Sequence, residues 1–243
     1  MDGLFPTLFS KTFFIVGTQL TITWLATHFV FCLFNRGGEV DGTEITSNLH
    51  GMRKSNPGCA FLFSPSFIGG LLLSDIAIFL TLLFWGVHQI LAISFTLFSI
   101  WSIITGVELE YTLINVDHGL GRRVLALTAT IVFATALIGI YSHVNFGYLQ
   151  IPLFIALCLL LLGNVIRIVW GMDSTKQRLM SICGVIIFTL YLVFDFNALA
   201  QKNASESSGW SDGWSEAMQI SIKIYLDIIN LFLQLLQAMS KHH

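Results

Sequence analysis

The chain has 243 residues, 55% of them apolar and only 11% charged, whereas soluble domains carry about a quarter charged residues. That leaves too few polar side chains to solvate a globular surface, a deficit a membrane removes because lipid becomes the solvent for the outer face. The formal net charge of −2 gives no footing for nucleic acid as a partner.

A helix crossing the bilayer takes about 20 residues. Seven apolar runs of that order follow one another: Thr12 to Phe34, Phe67 to Val87, Ile90 to Ile114, Val124 to His143, Leu149 to Gly171, Leu179 to Ala200 and Ala217 to Met239. Helices are required, since a lone spanning strand leaves backbone groups unpaired in lipid. The expected fold is all-α: a polytopic integral membrane protein, a seven-transmembrane-helix bundle forming one domain over residues 1–243. The first run lacks a basic stretch beyond Lys11 and is long, so it reads as a span and not as a cleaved leader. The second and third runs meet at Gly86 to Gln89, which predicts a tight helical hairpin. The longest loop is Asn35 to Ser66. A second, Gln201 to Glu216, carries Trp210 and Trp214, which are either interface seats or part of a plain solvated loop.

The four cysteines, Cys32, Cys59, Cys158 and Cys183, show no metal-like spacing and imply no disulfide framework, so they read as packing residues. The seven histidines are scattered, and none sits in a zinc-protease spacing. With seven spans the termini lie on opposite sides. The N-terminal side holds Lys11 and Lys202, whereas the other holds Arg36, Arg53, Lys54, Arg122, Arg123, Arg167, Lys176, Arg178 and Lys241. The excess of positive charge places the C-terminus in the cytosol. The Asn203-Ala204-Ser205 glycosylation sequon then faces the lumen, close to the membrane.

Ionisable residues inside apolar runs are costly and mark cavities or partners. Here they are Asp75, Glu108, Glu110, Asp195, Lys223 and Asp227. The excess of carboxylate favours handling of cations or protons, and carboxylates are hard oxygen ligands suited to Ca²⁺. Glu108 and Glu110 stand two positions apart and face different ways. Asp75 and Glu108 are candidates for an ion path, although Asp75 also suits an interface. In the last run Gln219, Lys223, Asp227, Asn230, Gln234 and Gln237 recur at steps of four, four, three, four and three, a polar seam on one helical face. Such a helix lies inside the bundle or lines a wet path. The seam is either functional or interhelical glue, and a Lys with an Asp exceeds what glue needs. Lys223 and Asp227 are one turn apart and can pair. No enzyme motif appears: there is no Gly-x-Ser-x-Gly, no phosphate loop and no intramembrane-protease aspartate setting. The chain is therefore not expected to be an enzyme.

Two segments, Phe188-Thr-Leu-Tyr191-Leu-Val-Phe-Asp195-Phe-Asn197 and Ile224-Tyr225-Leu-Asp227-Ile-Ile-Asn230-Leu-Phe232-Leu, resemble the sixth and seventh helices of the transmembrane Bax inhibitor motif family. Upstream the likeness rests on hydrophobic layout and on echoes such as Thr105-Gly106. The divergence is similar to that of the family's cytomegalovirus-encoded branch of small seven-span proteins. The resemblance implies a Ca²⁺-permeable leak channel, a viroporin if virus-encoded, in the endoplasmic reticulum. It would lower store calcium and damp apoptosis. It also implies that Asp195 and Asp227 form the ion gate and pH sensor and hold Ca²⁺ transiently. Two carboxylates on one site titrate as a unit and give a weak, partly hydrated transit site.

The sequence departs from the family in three respects. The basic cluster after the second helix is missing, leaving His88; Lys223 stands where a small or apolar residue is usual; and the charge bias reverses the usual layout. Lys223 is accordingly expected to act as the latch cation, and Lys223 and Asn230 as gate modifiers. No permanently bound cofactor is expected, and the partners are the lipid bilayer, Ca²⁺ and host cell-death or other membrane proteins. The rival reading is a non-conducting adaptor that binds host membrane proteins in immune or death pathways. A third, a proton-coupled transporter, predicts solute flux that follows a pH gradient.

Overall fold

The computed structural model describes residues 6–35, 65–84, 91–114, 116, 118–142, 144–170, 173–205 and 213–240. They form α1 (Leu8–Asn35), α2 (Pro65–Phe84), α3 (Leu91–Ile114), α4 (His118–Tyr141), α5 (Gln150–Trp170), α6 (Ser174–Ser205) and α7 (Gly213–Met239), with a 3-10 turn at Phe146–Leu149 ahead of α5. No strand occurs among the described residues. All helices except α2 are long and apolar enough to cross a membrane, and α2 carries a shorter apolar stretch, Leu73–Leu82. The protein is a multi-pass helical membrane protein. The expected hairpin turn at Gly86 to Gln89, most of the Asn35 to Ser66 loop, Trp210 and Cys59 lie outside the described residues.

The many Ser and Thr residues fit apolar helices because their hydroxyls bond their own backbone. Thr23, Thr105, Thr128 and Ser221 donate to the carbonyls of Gln19, Trp101, Val124 and Ala217 at 2.6–3.0 Å. A hydroxyl in lipid without a partner would be costly, and the i−4 carbonyl is the nearest acceptor. Outward faces are apolar: Phe29, Phe133 and Ile151 are 65–72% exposed, as lipid contact requires.

Several helices outrun their apolar runs, α4 and α6 by the widest margins. α4 begins at His118, six residues before Val124, and α6 covers Ser174–Ser205 and not only Leu179 to Ala200. Hydropathy marks the embedded part of a helix, whereas backbone hydrogen bonding continues into the headgroups. α7 likewise starts at Gly213, four residues before Ala217, so the expected loop from Gln201 to Glu216 is shortened at both ends. Lys202 in the last turn of α6 and Glu216 in the first turn of α7 form an ion pair. Each charge also complements the dipole of its own helix end.

One compact unit comprises the start of α1 with α4 to α7; the rest of α1 with α2 and α3 makes another. In the first, α7 packs on α6 and α4, and α6 also meets α5. α7 is the most enclosed helix, with Tyr225 and Leu231 fully buried. The start of α1 joins it: Ser221 Oγ donates to Thr12 O at 3.2 Å, and Phe13 stacks on Phe196 of α6 at 6.1 Å. In the other unit, Gln19 of α1 is fully buried and bridges Ser99 (3.2 Å) and Ser102 (2.9 Å) of α3.

Close crossings use glycine. A Cβ on Gly139 of α4 would stand 2.7 Å from Val193 O and from Phe196 Cβ, whereas one on Gly184 of α6 would meet only the end of the Gln234 side chain. Backbone cannot step aside and a glutamine can. Gly139→Ala is therefore expected to destabilise by about 1–3 kcal/mol through overpacking. Gly184→Ala should be neutral or gain up to about 1 kcal/mol from helix propensity. Thermal midpoints in detergent micelles check the ordering.

Candidate functional site: a buried carboxyl pair between α6 and α7

α6 and α7 run antiparallel and meet through successive polar layers. From one end these are the Lys202–Glu216 ion pair, Asp195 with Asp227, Gly184 making room for Gln234, and Ser181 Oγ donating to Gln237 Oε1 at 2.9 Å. Apolar residues, among them Phe188, Leu192, Ile224 and Leu231, are buried in the same two helices. The spacing of Ser181, Phe188, Asp195 and Lys202 is seven throughout, the repeat that keeps one helix seam facing its partner.

Asp195 and Asp227 are 6% and 7% exposed. Their carboxyl groups lie within hydrogen-bonding reach of each other, and Asp227 Oδ2 is buried without a donor. Two carboxylates this close repel each other, and a proton or a cation between them would remove the repulsion. The Tyr191 phenol, one turn before Asp195, lies within electrostatic reach of both acids. The pair offers at most four oxygens against the six to eight typical of Ca²⁺. No cluster of three or more His, Cys, Asp or Glu suited to a metal occurs among the described residues. The site fits a transient, partly hydrated cation better than a resident one.

A family model described as inhibitor of apoptosis-promoting Bax1 matches residues 6–243. The chain belongs to the Bax inhibitor family. The chain is 32% identical over 113 residues to the Golgi anti-apoptotic protein of vaccinia virus (strain Lister), covering 46% of this chain and 44% of that protein. An uncharacterized membrane protein of Streptococcus pyogenes serotype M6 is 25% identical over 150 residues, 60% of this chain and 62% of that one. An uncharacterized protein of Borreliella burgdorferi is 25% identical over 145 residues, with the same coverage. The chain thus spans less than half the length of the vaccinia relative and under two thirds of the bacterial ones.

In this Bax inhibitor family member the other residues singled out by sequence are placed differently. Lys223 is exposed. Its charge acts on both aspartates, yet it forms no ion pair with either. Gln219 is exposed too, so the seam faces inward only from Asp227 onward. Asn230 Nδ2 donates to Leu226 O of its own helix at 2.9 Å. Asp75 and Glu108 belong to the other compact unit. There Trp101 Nε1 donates to Asp75 at 2.7 Å, Glu108 lies within electrostatic reach of Asp75, and Glu108 Oε1 is buried without a donor. Glu110 is buried and lies within electrostatic reach of His28. Thr105 is buried, and Gly106 admits the α1 backbone at Thr23.

Sequence reasoning passed over Trp101 and Asn197. An indole in a run that faces an acid in the preceding run was the available signal for the first. Asn197 has no linear signal. It is 3% exposed, its Nδ2 donates to Gly139 O at 3.0 Å, and its Oδ1 accepts from Phe146 N at 3.1 Å and Gln201 Nε2 at 2.7 Å. It therefore closes the end of α4 and the start of the 3-10 turn, two positions along α6 from Asp195.

Proposed function

We propose that this protein is a pH-sensitive Ca²⁺-permeable leak channel of an intracellular membrane, the endoplasmic reticulum, that lowers store calcium and damps apoptosis. The observation that carries the reading is the Asp195–Asp227 pair: two buried carboxyls within hydrogen-bonding reach of each other across α6 and α7, with Asp227 Oδ2 lacking a donor. A proton or Ca²⁺ on these oxygens favours contact between the helices, and an empty dianionic pair favours separation. A ligand acts on such an equilibrium only through its different affinity for the two states. The anti-apoptotic role draws on the family description and on the printed name of the vaccinia relative. The Lys/Arg bias supports a cytosolic C-terminus, and no catalytic step belongs to this reading.

The test is Ca²⁺ efflux from proteoliposomes holding the native chain between pH 6 and 8. Efflux above that of empty vesicles, varying with pH, supports the leak. Folded protein without efflux favours the non-conducting adaptor, and solute flux tracking an imposed pH gradient favours the transporter. Protons and Ca²⁺ compete for the same oxygens, so apparent Ca²⁺ affinity should fall as pH falls, by up to about tenfold per unit for each proton displaced. Isothermal titration across the same range checks the direction.

A further inference from the structure

Near the end of α1 a thiol and an imidazole come together, within electrostatic reach of a buried carboxylate, in the compact unit that holds α2 and α3. Cys32 is the last residue of the apolar stretch Leu8–Cys32, and its side chain is exposed. Cys32 Sγ lies 3.2 Å from Nδ1 of His28, one turn earlier. The imidazole is held edge-on by Trp24 at 5.5 Å and Phe31 at 6.3 Å. Glu110 of α3 is 4% exposed and lies within electrostatic reach of His28. The other described cysteines, Cys158 and Cys183, are exposed as well, but neither has a described histidine beside it. The three groups do not form a metal cluster.

An exposed thiol with an imidazole at hydrogen-bond distance has a base placed to take its proton as the sulfur attacks. At the end of a span it meets the class of electrophile found at membrane surfaces, the long-chain acyl thioester. Leu25 and Phe29 precede Cys32 at steps of four and three on the same helix face and are 53% and 65% exposed, so an acyl chain leaving Cys32 would run along an apolar stripe into lipid. Arg36 follows closely, on the side that the charge bias places in the cytosol.

We propose that Cys32 is an S-acylation site, with His28 as its general base and Glu110 as a positioning residue acting through His28. The sulfur of Cys32 bonds to the acyl carbonyl carbon as the bond from that carbon to the donor thiol breaks. The proton of the Cys32 thiol passes to His28 and from there to the departing thiolate. Oxidation states do not change. The inference does not depend on the leak reading.

The test uses the full chain in lipid nanodiscs with palmitoyl-coenzyme A, reading hydroxylamine-sensitive exchange of the acyl group for a maleimide mass tag. A variant with Cys59→Ser, Cys158→Ser and Cys183→Ser, which keeps only Cys32, should label like the native chain, and Cys32→Ser should lose the label. His28→Gln should slow labelling by roughly a hundredfold, at the low end of general-base contributions. Glu110→Gln should slow it several-fold, with Glu110→Asp restoring the rate. No label on Cys32, label spread evenly over all thiols, or a Cys32 rate unchanged in His28→Gln would each overturn the proposal.

Discussion

Carrying both Asp195→Asn and Asp227→Asn, the protein should remain folded and lose the pH response of its Ca²⁺ efflux between pH 6 and 8. If opening is linked to one proton, the equilibrium shifts by up to tenfold per pH unit, so two units allow roughly a hundredfold change in native flux. Amides of the same shape bond to each other without a proton and do not titrate. They also cannot offer Ca²⁺ two charged ligands, so flux falls as well as flattening. The fold should survive because both charges leave together; removing one partner strands the other. Asp227→Leu alone is the harsher change, since Asp195 stays buried with its partner gone. Efflux and thermal midpoint measured on the same preparations separate the two effects. A double variant that keeps a native pH profile would remove the aspartates from the gating role.

Asn197→Leu should destabilise the protein by about 2–5 kcal/mol, among the largest single-residue effects in the molecule. One side chain serves Gly139 O at the end of α4, Phe146 N at the start of the 3-10 turn and Gln201 on its own helix. Leucine matches its volume and supplies none of these bonds. Each buried backbone group left unsatisfied costs about 1–3 kcal/mol, and the lipid side of the bundle holds no water to replace the amide. Asn197→Asp keeps the acceptor for Phe146 N but loses the donor to Gly139 O, so it should fall between native and leucine. Midpoints of denaturation in mixed micelles rank the three. An Asn197→Leu midpoint equal to the native one would show that these bonds contribute nothing net.

Composition and run length were enough to read the helical membrane fold, because lipid permits so few backbone solutions. The two aspartates were legible for a similar reason: a carboxylate inside an apolar run is expensive enough to stand out. Helical periodicity placed Lys223 on the face of Asp227, and that much is right, yet Lys223 is exposed while Asp227 is buried. Periodicity fixes an angle around the helix axis. It says nothing of how far along that axis a neighbour continues to cover it. Helix ends escaped for another reason, since α4 and α6 continue through residues that hydropathy rejects but backbone hydrogen bonding accepts. Asn197 and Trp101 were hidden because each serves a partner 26 to 58 residues away, a relation made by packing and absent from any local pattern.

The polar layers between α6 and α7 also restrict how these helices can move. Their partners advance along α7 as they retreat along α6, so all layers share one register. A slide by one turn, about 5.4 Å, would bring Lys223 level with Asp195. The same slide would part Lys202 from Glu216, Ser181 from Gln237, and Gln234 from the space that Gly184 leaves for it. With Asp227 also drawn away from Asp195, four matches are lost for one gained, so the seam works like a toothed rack: it resists shear along its length. Motion between these helices is therefore confined to hinging apart, and a substitution in one tooth is best compensated by a change in the tooth opposite.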